Sequence, residues 1–197
     1  REAPDDLSRA LEASLQKVLM FAFLGLAPAL VVYRLFGRPP SHFGLSLGDV
    51  APGIWLIAAG LSVVAFAVGF FNPAHAHGEG QYPQMKVAEW TVGLWLFNAA
   101  GLGLYLLAYE FMYRGLLLVP MLELGVAPAV ALNTALYMAT HLHKGLSEAV
   151  AAVPFGVLLC VLTVESGSML PAFFLHWFLA AGISLGAVVR GPEYRFV

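Results

Sequence analysis

Charge is what this sequence has least of. Only 11% of its 197 residues are Asp, Glu, Lys or Arg, while 60% are hydrophobic. A soluble globular domain carries about 25% charged residues and roughly 45–50% apolar ones. So few charges cannot cover a water-facing surface, and the mean hydropathy of +0.80 makes lipid the natural solvent. Acids and bases nearly cancel, at a net charge of −2, which excludes the strongly basic face that nucleic acid requires. A single cysteine, Cys160, excludes an internal disulfide framework; lying in an apolar run, it reads as inert packing. The first ten residues mix Arg, Glu and Asp and lack an apolar core, so no signal peptide is expected there. No internal repeat and no composition break divides residues 1–197, which read as a single membrane domain.

Long apolar runs fill the remainder. A bilayer span needs about 20 predominantly apolar residues. The runs predict about six spans: Val18–Phe36, Ala51–Phe71, Val87–Leu124, Val126–Leu142, Ala149–Val164 and Met169–Val189. The expected fold is therefore an all-α polytopic transmembrane bundle. Arg38-Pro39-Pro40 ends the first span, because consecutive prolines cannot continue a helical ladder. The third run exceeds what a bilayer requires and must tilt, kink or protrude. With six spans, one side of the membrane holds Arg1, Arg9, Lys17, Lys86, Lys144, Arg190 and Arg195, and the other only Arg34 and Arg38. The positive-inside rule then puts both termini in the cytoplasm.

Against this background a few polar residues stand out. Glu110 and Arg114 are the only charges between Glu89 and Glu123. Each costs roughly 2.5–3.5 kcal/mol at mid-bilayer on insertion scales. Their spacing, with the acid N-terminal, favours an intrahelical ion pair. Such a pair could do no more than fix helix packing. The fourth run ends in Tyr137-Met138-Ala139-Thr140-His141-Leu142-His143-Lys144, with Glu148 just beyond. Tyr137 and His141 share a helical face with Asn133, whereas His143, rotated by about 200°, should point elsewhere. The sixth run contains His176 in otherwise apolar surroundings. Three runs that each carry a buried ionisable group imply one polar site inside the bilayer. Convergence requires the third helix to protrude far enough to bring Glu110 level with both histidines.

These segments resemble the CAAX-protease and bacteriocin-processing family of intramembrane proteases, which includes the Rce1-type prenyl-protein endopeptidases. The family shows Glu-Glu-x-x-x-Arg, Phe-x-x-x-His and His-x-x-x-Asn on separate membrane helices. Here the corresponding stretches are Tyr109-Glu110-Phe111-Met112-Tyr113-Arg114, Tyr137 to His141, and His176 to Ala180. Gly115-Leu116-Leu117-Leu118 and Ser166-Gly167-Ser168 are similar too, and the resemblance spans residues 88–182. It implies a four-helix core and hydrolysis of a peptide bond by an activated water. Glu110, Arg114, His141 and His176 carry over by position. Tyr109 stands where the family has its water-activating glutamate, and Ala180 where it has an asparagine that helps hold the oxyanion. Either Glu110 has taken the base role, or Glu148 supplies a carboxylate, or catalysis is lost. Glu148 qualifies because His141-Leu142-His143-Lys144-Gly145-Leu146-Ser147-Glu148 is similar to a branch of the family with a Glu at that spacing. It could equally be a charge at the start of the fifth helix.

The resulting expectation is a catalytic set of Glu110, His141, His176 and Glu148. Arg114 would hold the buried acid, Tyr109 or Tyr137 would lend a hydroxyl, and His143 would lie nearby. No cofactor is expected. Zinc is the minor alternative, since two histidines and a glutamate could form an open site, but the His-Glu-x-x-His helix is missing. His75, His77 and Glu79 form a loop cluster that reads as solvated, and Trp90, Trp95 and Trp177 read as interface anchors or lipid-facing side chains. The resemblance implies a membrane-associated or lipid-linked substrate cut near its C-terminus. A non-catalytic scaffold or immunity protein is the alternative from another class, and a small proton-coupled transporter a third. Seven arginines against three lysines, with abundant Ala, Gly and Leu, point to a GC-rich bacterial genome and hence to the bacterial inner membrane.

Overall fold

The computed structural model describes residues 6–48, 52–71 and 82–197. The cluster of His75, His77 and Glu79 lies outside them. Six helices follow in chain order: α1 Asp6–Phe36, α2 Pro52–Phe71, α3 Val92–Leu124, α4 Val126–Ala139, α5 Leu146–Ser166 and α6 Leu170–Arg190. Two short strands, β1 Glu89–Trp90 and β2 Arg195–Phe196, pair in parallel. The architecture is an all-α polytopic membrane bundle. Five of the helices are long and apolar enough to span a membrane. The expected sixth, α4, is not: it has 14 residues, or about 21 Å at 1.5 Å per residue, against a hydrocarbon core of about 30 Å. The helix stops at Ala139, and a tight turn carries His141 and a short 3₁₀ segment, Leu142–Lys144, into α5. By contrast α5, expected to be short, has 21 residues.

Local chemistry explains the boundaries. The Thr91 hydroxyl caps α3 by accepting from the Leu94 N–H at 3.1 Å. Gly37, at φ 63°, takes the left-handed C-cap of α1 ahead of the Pro39-Pro40 stop. The Pro171 ring sits in the first turn of α6, where its missing N–H is harmless.

Lipid adds little drive for apolar helices to associate, so close backbone approach matters more. Helices α2 and α6 use small residues on both sides. A Cβ on Gly186 would come within 2.5 Å of the Phe70 carbonyl oxygen, and one on Gly69 within 2.6 Å of the Leu179 carbonyl oxygen. Helix α6 is central: 61% of its apolar window is buried, against 6% for α1, whose Leu, Val and Phe side chains face outward.

One end of the bundle gathers the starts of α1 and α3 and the ends of α2 and α6. Asp6 accepts from the Ala88 N–H at 2.9 Å, Arg9 donates to the Lys86 carbonyl at 3.0 Å, and Arg190 donates to the Phe70 carbonyl. At the other end the Met169 N–H donates to the Gly44 carbonyl at 2.9 Å and the Ser168 hydroxyl to the Ser46 carbonyl at 2.5 Å.

Candidate active site

The site is built around Glu110, which has no solvent exposure. Its Oε1 lies 2.5 Å from His176 Nδ1 on α6, and its Oε2 lies 3.3 Å from Arg114 Nε one turn on. A carboxylate accepts, so this contact puts the His176 hydrogen on Nδ1 and leaves Nε2 free. Arg114 is equally buried, with its guanidinium carbon 4.5 Å from the centre of the Tyr137 ring. Cation–π attraction in a desolvated setting thus supplements the ion pair.

A local change in helix winding begins at the next residue. Phe111–Leu118 is π-helical, a departure that is common at functional sites because it re-aims side chains. The amide of Asn133, fully buried on α4, donates to the Tyr113 carbonyl at 2.7 Å inside this stretch, and the Cys160 thiol donates to the Asn133 carbonyl oxygen at 3.2 Å. Asn133, singled out by its helical face, thereby supports the irregular segment.

His141 stands at the end of α4. Its Nδ1 contacts the Tyr137 carbonyl at 3.0 Å and the Thr140 hydroxyl at 3.3 Å. A carbonyl cannot donate, so Nδ1 carries the hydrogen here too. Thr140 donates its one O–H to the same carbonyl at 2.7 Å, so the Tyr109 hydroxyl, 2.8 Å away, must be the donor to Thr140. The Tyr109 hydroxyl, expected to be a spare donor, is therefore committed to holding the turn that carries His141.

His141 and His176 line a cavity of about 340 Å³ together with Tyr109, Tyr105, Tyr82, His143, Lys144, Thr140, Ala180, Gln16, Gln84 and Lys17. Glu110 is not among its lining residues; it lies behind His176. Adjacent helical residues point about 100° apart, and here Tyr109 takes the cavity while Glu110 takes the helix interface. His143, expected to point away from His141, also faces this cavity. The 200° rotation holds only within a helix, and α4 ends before either residue. A second cavity, about 210 Å³, shares Tyr82, His141, Lys144, His176 and Ala180 and adds Glu148, Phe155 and Val68 of α2. Glu148 is tied to Lys144 at 3.4 Å. Ala180, one turn after His176, borders both cavities.

The indole N–H groups correct another expectation. Trp177 donates to the Ala99 carbonyl at 2.7 Å, and Trp90, fully buried, donates to the Val87 carbonyl at 3.1 Å. Trp90 is therefore a packing residue and not an anchor at a lipid interface, while Trp177, partly exposed, also ties α6 to α3. As for zinc, no group of three His, Cys, Asp or Glu gathers in ligating geometry among the described residues, and Nδ1 of His176 is spent on Glu110.

Sequence reading missed a second polar chain. Lys17 Nζ donates to Asn98 Oδ1 at 2.7 Å, and Asn98 Nδ2 donates to Ser184 Oγ at 3.0 Å, linking α1, α3 and α6. Lys17, counted by the loop-charge rule among the cations on one side of the membrane, is 4% exposed and lines the larger cavity. A lone Asn in an apolar helix was the available signal.

Fold and site together define an integral membrane protein of helical-bundle type with a polar cavity and a buried carboxylate–histidine–arginine cluster. Residues 88–182 match the family model described as type II CAAX prenyl endopeptidase Rce1-like. No curated protein and no solved structure matches the chain.

Proposed function

We propose that the protein is an intramembrane endopeptidase that hydrolyses a membrane-associated or lipid-linked peptide near its C-terminus. The observation that carries this reading is the 2.5 Å contact between Glu110 and His176 Nδ1, with the His176 ring at a cavity that also holds His141. Nε2 of His176 takes a proton from water as the water oxygen adds to the substrate carbonyl. The imidazolium so formed is stabilised by Glu110 behind it and returns the proton to the leaving amine as the C–N bond breaks. This is the division of labour of a base oriented by a buried acid. His141, its Nδ1 held by the Tyr137 carbonyl, offers Nε2 as an acceptor that orients the same water. Arg114 offsets the burial of Glu110 and fixes its rotamer. The reaction needs no cofactor on this account. The excess of cationic residues at the end where α1 starts and α6 ends supports a cytoplasmic location for that end.

Two observations favour other readings. Glu148 borders the second cavity beside both histidines, which supports a share for it in water activation. The complete burial of Glu110 and Arg114 favours a scaffold or immunity protein that keeps the fold without the chemistry. Mass spectrometry of lipid-linked peptides incubated with the purified protein, with Glu110→Ala as the control, separates these. New C-terminal fragments that require Glu110 support the peptidase. Intact peptides across prenylated and acylated sequences support the scaffold.

A further inference from the structure

The two cavities meet at a seam bordered by Tyr82, His141, Lys144, His176 and Ala180, which line both. A carbonyl within reach of Nε2 on both histidines lies at this seam. Adding water to it drives negative charge onto its oxygen, and a preorganised donor there stabilises that charge. Neither resting histidine supplies one, since each spends its Nδ1 hydrogen, His176 on Glu110 and His141 on the Tyr137 carbonyl. Lys144 is paired with Glu148 at 3.4 Å, and Ala180 has no polar side-chain atom. Tyr105, His143, Gln16, Gln84 and Lys17 border the larger cavity alone, and the Tyr109 hydroxyl is given to Thr140. That leaves the Tyr82 hydroxyl.

This hydroxyl has no hydrogen-bond partner among the described residues. It lies within electrostatic range of the hydroxyls of Tyr105, at the larger cavity, and Tyr137, at the smaller. The Tyr137 ring is centred 4.6 Å from the His141 ring and 6.1 Å from the His176 ring. The Lys144 ammonium, 5.9 Å from the centre of the Tyr82 ring, helps to hold that ring by cation–π attraction. The chain just after Tyr82 is anchored as well. Met85 and Val87 are buried in one cluster with Ala13 of α1 and Val188 of α6, the Lys86 carbonyl accepts from Arg9, and the Ala88 N–H donates to Asp6.

We infer that Tyr82 is a catalytic residue, the donor to the carbonyl oxygen of the peptide bond as water adds to it. The inference rests on the peptidase reading. As the water oxygen bonds to the carbonyl carbon, the π pair moves onto the carbonyl oxygen and the water proton goes to His176 Nε2. Tyr82 donates a hydrogen bond to that oxygen and keeps its own proton. When the carbonyl re-forms, the C–N bond breaks and the leaving amine takes the proton from His176.

The test compares the full-length wild type, Tyr82→Phe and Tyr105→Phe in nanodiscs. One readout is turnover of a dye-labelled prenylated peptide, with kcat and KM resolved. The other is affinity for that peptide and for analogues with a phosphinate, a tetrahedral anion, at each peptide bond in turn. Removing a hydroxyl that has no protein partner breaks no hydrogen bond, so Tyr82→Phe should unfold at the wild-type midpoint. Loss of one oxyanion donor costs about 10²- to 10³-fold in kcat, so Tyr82→Phe should lose that much with KM little changed. Its affinity for the tightest phosphinate should fall by a similar factor while the peptide binds as before, and Tyr105→Phe should match the wild type in both readouts. A Tyr82→Phe protein with wild-type kcat and phosphinate affinity overturns the assignment, as does a loss confined to KM or an equal loss in Tyr105→Phe. A lowered midpoint in Tyr82→Phe also overturns it, by showing the hydroxyl bonded within the protein. A wild type that cleaves nothing, yet prefers a phosphinate through the Tyr82 hydroxyl, would leave the donor standing and refute the peptidase. Cleavage untouched by Tyr82→Phe would do the reverse, and neither cleavage nor phosphinate preference would overturn both.

Discussion

Removing the Arg114 guanidinium strands a buried acid, and this consequence can be worked out from the geometry. Arg114 and Glu110 both have no solvent exposure, lie 3.3 Å apart, and sit within a membrane-spanning helix. Breaking a buried ion pair from one side typically costs about 3–5 kcal/mol, because the remaining charge is uncompensated. Arg114→Ala also empties the space over Tyr137, where the cation–π contact accounts for about 2 kcal/mol more when desolvated. At about 2–4 °C per kcal/mol for chains of this size, the midpoint of thermal unfolding in detergent should fall by at least about 6 °C, with poor expression. Glu110→Gln strands the Arg114 guanidinium instead, but its amide oxygen keeps the shape and an acceptor beside Arg114, and the cation keeps the Tyr137 ring, so its loss of stability should be smaller than that of Arg114→Ala. The pair Arg114→Met with Glu110→Gln should be more stable than Arg114→Met alone by about 2 kcal/mol or more, because the double variant contains no stranded charge. Size-exclusion profiles and unfolding midpoints of the four proteins measure this. An Arg114→Ala protein that is well folded and merely inactive would refute the reasoning and move Arg114 into the reacting machinery.

Other outcomes follow from the same geometry. Gly186→Leu should drive α2 away from α6, because a Cβ alone would come within 2.5 Å of the Phe70 carbonyl oxygen; loss of monodisperse protein in detergent checks this. Tyr109→Phe removes the donor to Thr140 and should cost about 1 kcal/mol of stability, with kcat falling more than KM rises because the His141 turn is loosened. Glu148→Gln frees Lys144 from a partly exposed pair worth about 0–1 kcal/mol. Unfolding midpoints should therefore be unchanged, and a turnover that also stays unchanged would remove Glu148 from water activation.

Much of this was readable in the residues themselves. Apolar runs located the helices because lipid imposes a minimum length, and the i,i+4 placement of Glu110 and Arg114 implied their pairing. The fourth span failed because Val126–Leu142 is apolar enough to cross yet the chain turns at Ala139, and composition does not register where a helix stops short. The same turn explains His143: helical periodicity was extended past the end of its helix. The sequence could not reveal that Glu110 turns towards α6 while Tyr109 takes the cavity, because that depends on packing and on the π-helical stretch after Glu110. Lys17 escaped notice for a related reason. Its partner Asn98 is 81 residues away, and only tertiary structure brings α1 against α3.

The central claim is that His176, oriented by Glu110, activates water in the larger cavity. Its most direct test is turnover of a lipid-linked peptide by purified, folded wild-type, His176→Gln and Glu110→Gln proteins, with kcat and KM resolved. A general base contributes about 10²- to 10⁴-fold, so His176→Gln should lose at least that much in kcat with KM little changed. Glu110→Gln should lose kcat in the same way, and Glu110→Asp should recover part of it. Near-full turnover by folded His176→Gln or Glu110→Gln would contradict the account.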